Sequence, residues 1–406
     1  MKRFAVLFLA SVTVLVLTYC GGGGSSTTPP SKVSHRSFLS NTYTGNLQIM
    51  DTQNDTTPYT AETTNSAGQV VPGVPVTITA GISSTFLTVS ADLSKTMVYD
   101  PSQVALYFIA NSTETASAAI SLPAPAQMAL FSSDGTLAYA AVHNAPITGG
   151  RPGGVSVVDI TNSDVKVTYG IPNATYIALS PSGQYLLVFA DTSDSVFLLN
   201  LTASTVATVE IPGFARPVNA FFSTDSNTAY VISCGPECGS TAGPPSVSQL
   251  DIPSQTIKAT VAVGGASVGL MKGTTLYVAG TPGTAGTYDA VNIGTMTRTT
   301  TNSVAIGDGT HASMALATNN KLYIGASTCA NQTTGCLSVV DVSANTADAP
   351  LPPKGNVTGM LAIAGRNTVY VIEGGYLVIY DTSTDKPQQK QVVFTGALYG
   401  IAQVDQ

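Results

Sequence analysis

Residues 178–213 read ALSPSGQYLLVFADTSDSVFLLNLTASTVATVEIPG. An apolar run gives way at Ser180 to Pro181-Ser182-Gly183, residues that favour a tight turn. YLLVFA (185–190) is a second apolar run, and VFLLN (196–200) a third, ending in Asn200. Asp and Asn fold their side chains back onto backbone amides two residues on, so Asn200 marks a strand end before a hairpin. ATVEIP (207–212) is the fourth run. Each is the length of a strand and too short for a helix.

The same unit recurs along the chain. SVVDIT (156–161), SQLDIP (248–253), SVVDVS (338–343) and LVIYDT (377–382) match VFLLN and its turn. With LQIMDT, YFIANS and AVNIGT they define a column of Asp51, Asn111, Asp159, Asn200, Asp251, Asn292, Asp341 and Asp381, spaced by 40 to 60 residues. Turn-forming residues at strand ends explain this column better than catalysis or metal binding. Earlier in each unit come runs such as LAYAAV (137–142) and LYVAGT (276–281), preceded by MALFSS-like runs and turns such as SSDG and STDS. Four short antiparallel strands repeated at such a period predict an all-β chain forming a β-propeller. The column predicts eight four-stranded blades. Seven is the alternative, because the first unit carries an insertion around residues 58–75. RSFLSN (36–41) reads as a second strand with no first, and YGIAQVDQ (399–406) as a first strand with no second. Joining them closes the ring and removes its open edges.

The 178–213 pattern resembles YVTN-type bacterial propeller repeats, also found in lactonase-like propellers, over residues of about 84 to 385. The resemblance implies an exported or surface propeller that binds or scaffolds other molecules, and its relatives include enzymes.

The N-terminus gives an address. Lys2 and Arg3 precede an apolar run from Phe4 to Thr18, which is shorter than the roughly 20 residues a membrane-spanning helix needs. Residues 1–19 are expected to be a signal peptide, with a retained anchor helix as the alternative. Leu17-Thr18-Tyr19-Cys20 resembles a bacterial lipobox, although Tyr19 stands where that family favours a small residue. The resemblance implies lipidation of Cys20 and a lipid-tethered protein of the outer membrane, the periplasm or the cell surface. Gly, Ser, Thr and Pro alone make up residues 21–30, so 20–34 is expected to be a flexible tether and 35–406 the propeller.

Composition narrows the partners. Only 10% of the 406 residues are charged, against about a quarter in an average domain. The net charge is −7, with no basic cluster, so nucleic acid is not an expected partner. Cys234 and Cys238 lie in CGPEC, and Cys329 and Cys336 in CANQTTGC. In an oxidising compartment these close pairs are expected to form two local disulfides. Zinc is the rival reading, disfavoured because neither spacing is CxxC and no histidine lies close in sequence.

Antiparallel alternation puts the loops after each second strand, and those between blades, on one face. The loops His143–Gly154, Cys234–Pro245, Thr281–Tyr288 and Cys329–Cys336 share it, and His143, Arg151, Arg216, Glu237, Asp308 and His311 are candidate binding residues there. The chain has no tryptophan and three histidines. No cofactor, metal or catalytic residue is therefore assigned. The expected function is a monomeric propeller that binds a protein, peptide or glycan through its long loops. The alternatives are a lactonase-like hydrolase with its site at the channel mouth, and a structural role in the envelope.

Overall fold

The computed structural model describes residues 31–329, 334–348, 351, 354–388, 392, 394 and 397–405. Cys20 and the lipobox lie outside the described residues.

The chain forms eight antiparallel sheets arranged as the blades of a propeller. Blade 4 is the pattern for the rest, its strands in order Ala174–Leu179, Tyr185–Ala190, Ser195–Asn200 and Thr208–Pro212. Blades 3, 5, 7 and 8 repeat it with innermost strands Ala126–Phe131, Pro217–Phe222, His311–Leu316 and Val357–Ala362. Blades 2 and 6, with innermost strands Leu87–Val89 and Val268–Lys272, split their outer strand into two short pieces. Blade 1 takes its innermost strand, Leu398–Gln403, from the C-terminus, paired to Arg36–Asn41. The ring therefore closes as the sequence implies, and the count is eight. The 58–75 insertion carries a small hairpin, Thr63–Thr64 with Val70–Val71. The one helix among the described residues is a 3-10 turn at Gly235–Cys238.

Burial follows the strand pattern. Second strands such as Tyr185–Ala190 are almost wholly buried because neighbouring blades cover both faces, whereas the outer strand Thr256–Ala262 alternates exposed and half-buried residues. Eight apolar clusters fill the eight junctions between blades. One joins Leu187 and Phe189 to Phe222 and Leu250 across blades 4 and 5; another joins Leu39 and Met50 to Tyr370 and Ile379 across blades 1 and 8.

The turn column holds at seven of its eight positions. Asp159, for example, accepts the Thr161 and Asn162 N–H groups at 3.0 Å each. Asn111 is the exception: its third strand ends one residue earlier, at Ala110, and its buried side chain instead accepts from Thr96 and donates to the Leu93 carbonyl. The SSDG-type segments are hairpin turns. Ser90 donates to Asp92 at 2.6 Å, and Asp92 accepts the Ser94 N–H; these bonds hold its carboxyl down at about 2.

Candidate functional site at the clamped loop face

The long loops lie on one face, and both disulfides form there, between Cys234 and Cys238 and between Cys329 and Cys336. Each closes the loop after a second strand on itself, and that loop packs against the one that leads into its own blade. Cys234 Sγ lies 3.3 Å from the Arg216 carbonyl oxygen, and Cys336 Sγ 3.2 Å from that of Asp308. Asp308 and these latter two sulfurs form the one grouping of metal-type ligands found among the described residues. Sulfurs joined to each other are not thiolates, which is the form that binds zinc.

A belt of contacts links the loops of four successive blades. Asp194 of blade 4 accepts the Arg216 N–H at 2.9 Å and the Ser240 hydroxyl at 3.0 Å. Arg216 sits in the left-handed region at φ 53°, and its Nε donates to the Cys238 carbonyl at 3.3 Å. One residue back along that short helix, Glu237 Oε2 accepts the Thr281 N–H of blade 6 at 2.8 Å. Burial pushes the Glu237 carboxyl above its ordinary pKa, against the lowering effect of that N–H. The Thr281 hydroxyl lies 3.4 Å from His311 Nδ1 of blade 7, and His311 Nε2 lies 3.1 Å from the Gly307 carbonyl. A carbonyl only accepts, so Nε2 carries the proton and Nδ1 is the acceptor. Burial lowers the His311 pKa, so it is neutral at pH 7.

Four of the six candidate residues, Arg216, Glu237, Asp308 and His311, thus gather on blades 5 to 7. His143 and Arg151 belong to the long loop of blade 3 and do not line the cavity that Arg216 lines. That cavity, of about 370 Å³, opens at the channel mouth between the innermost strands of blades 4 to 7. Neither Asp308 nor His311 lines it: His311 is 5% exposed, with both ring nitrogens engaged in holding loops.

Arg216 is the one binding-face candidate that lines the cavity; Tyr176, Asp191 and Asn219 are among the lining residues that the sequence did not single out. A register irregularity falls at the second residue of the innermost strand in blades 4, 5 and 7, between Ala174 and Tyr176, Pro217 and Asn219, and His311 and Ser313. Such bulges re-aim the side chains beside them. Tyr176 and Asn219 meet across the channel wall, with Asn219 Nδ2 donating to the Tyr176 hydroxyl at 3.4 Å.

No protein-family model matches this sequence, and no curated protein matches it. Solved structures do match. Dihydro-heme d1 dehydrogenase NirN, in complex with DHE, superposes with a TM-score of 0.64 at 12% identity, covering 91% of this chain and 75% of that one. Hydrazine synthase of Kuenenia stuttgartiensis gives 0.51 at 15% identity, covering 70% and 87%. A functionally unknown protein from Desulfotomaculum acetoxidans gives 0.52 at 16% identity, covering 79% and 95%. At such identities the likeness is one of fold. This chain is an eight-bladed, all-β propeller, and its neighbours span unrelated activities.

Proposed function

We propose that this is a lipid-anchored, extracytoplasmic propeller built from YVTN-type repeats, and that its clamped loop face binds a protein, peptide or glycan partner. The observation that carries the reading is the belt. Four consecutive blades use an aspartate, an arginine, a glutamate and a histidine to fix loops to one another, and two disulfides close two of those loops on themselves. Long loops held rigid on a scaffold are where recognition resides. The hydrolytic alternative loses support because the candidate pair His311 and Asp308 is absent from the cavity lining.

The address is supported by the disulfides, which suit an oxidising compartment. No helix among the described residues is long and apolar enough to cross a membrane. The N-terminal segment also joins the propeller on the face of tight turns. Ser31 donates its backbone N–H to Glu114 at 2.8 Å, and Arg36 binds Glu114 and Asp405. A lipid on Cys20 would therefore tie down that face and leave the clamped loops pointing away from the membrane.

The test is in-cell photocrosslinking in the native host. A photoreactive residue replaces Thr284 in a loop of the clamped face, or Asn162 in a turn of the opposite face. Crosslinks to a discrete partner from position 284 alone support the reading; crosslinks from 162 alone, or none from 284, refute it. Intact mass of the membrane-extracted protein tests the anchor, which requires cleavage before Cys20 and added acyl chains.

A further inference from the structure

We propose that the channel mouth binds a neutral sugar residue at the end of a glycan. This rests on the binding-module reading and narrows its partner. The cavity's polar groups are mixed in kind. The Asp191 carboxylate is exposed and makes no hydrogen bond or ion pair among the described residues, so it is an open acceptor. It is followed by Thr192, held at φ 62° on the rim. Asn219 Oδ1 accepts the Ala220 N–H at 2.7 Å, which turns Nδ2 into the channel as a donor. Arg216 commits Nε to Cys238 and stands 3.7 Å from Asp194, leaving Nη2 without a partner among the described residues. Carboxylate, amide and guanidinium around one small space are the donors and acceptors that vicinal hydroxyls need.

Tyr176 supplies the remaining element. Its side chain is 36% exposed, into the channel, and burial raises its pKa, so it stays a neutral phenol. An aromatic face of this kind packs against the C–H face of a sugar ring. Val218, Val268 and Met314 give the rest of the wall its apolar surface. An anionic ligand fits less well, because Arg216 already faces Asp194 and the Asp191 carboxylate lines the same cavity. At about 370 Å³ the cavity is at the small end of ligand pockets, which suits one ring with some water.

The test uses the purified protein in saturation-transfer NMR and calorimetry at pH 7. Probes are the methyl glycosides of glucose, galactose, mannose and N-acetylglucosamine, with glucuronate and glycylglycine for comparison. The expected result is saturable binding of at least one neutral glycoside. Tyr176→Ala and Asp191→Ala each weaken it at least tenfold, Tyr176→Phe does not, and Lys258→Ala on the outer strand of blade 5 leaves it unchanged. Thermal unfolding confirms that each variant is folded. Absence of binding by every neutral glycoside overturns the proposal. So does glucuronate binding tenfold tighter than the methyl glucoside, or sugar binding that survives both Tyr176→Ala and Asp191→Ala. A protein crosslinked at position 284 with no sugar bound would remove the sugar assignment and leave the loop-face reading intact.

Discussion

Arg36 is the bolt of the ring, and Arg36→Met is the perturbation that measures it. The guanidinium is buried and makes four short bonds. Nε and Nη2 grip Asp405 at 2.6 and 2.8 Å, while Nη1 reaches Glu114 and the Asn111 carbonyl at 2.7 Å each. These groups come from the second strand of blade 1, the C-terminus and a turn of blade 2. Methionine keeps most of the volume but leaves the Glu114 side chain, 1% exposed, without its cation. Breaking a buried pair from one side costs about 3–5 kcal/mol. If that loss falls on release of the closing strand, amide exchange in Leu398–Gln403 accelerates on the order of a hundred- to several-thousand-fold. Native-state hydrogen exchange by mass spectrometry reads this against Tyr185–Ala190, across the ring, where exchange stays as it was. Combining Arg36→Met with Glu114→Gln and Asp405→Asn removes the stranded charges and recovers most of the protection. The reasoning fails if the single variant exchanges within threefold of wild type, or if the triple variant is no better protected than the single one.

Two further results are expected. Replacing Cys234 and Cys238 together by serine opens a loop of sequence separation 4, worth about 2 kcal/mol by chain entropy. Its sharper mark is faster exchange at residues 214–218 and 280–284, which lean on Cys238 and Glu237; unchanged protection there would dissolve the belt. The second result concerns pH. The folded pKa of His311 lies below its ordinary 6.5, so on acidification the unfolded chain takes up that proton first. His311 therefore costs stability as pH falls below about 6.5, down to its folded pKa, and nothing above that range. Glu237 and Glu373, raised by burial, act in the opposite direction above about 4.5, so the difference between wild type and His311→Gln isolates the histidine. Melting temperatures from pH 7 to 5 should diverge, with the variant's profile the flatter; parallel profiles would show that the ring is not held neutral.

The fold was legible because each blade repeats one local grammar: turn residues at fixed places and apolar runs between them. Closure could be read for the same reason, since Arg36–Asn41 lacked a first strand and Leu398–Gln403 lacked a second. Asn111 shows the limit. Its letter fits the column, but Lys95 pairs with Ala110, so the hairpin turns one residue before the Asn. Composition cannot see a register slip of one, because Asn serves a buried hydrogen bond as well as a turn.

The loop face was legible for a topological reason: alternation alone sends loops after second strands and loops between blades to the same side. The channel wall was not. Which side chain of an innermost strand faces the channel is set by the bulge at its second residue, and the bulge is a property of pairing, absent from the letters of any one strand. Thr175 and Tyr176 read alike in sequence, yet Tyr176 is the more exposed, while His311, expected at the mouth, is buried and used as a strut. The same argument bears on function. A chain with so few charges has little to spend, and the belt spends an arginine, a glutamate and a histidine on holding loops still. What remains open at the mouth includes a phenol, an amide, a carboxylate and one arm of a guanidinium, groups that can hydrogen-bond a neutral polar ligand.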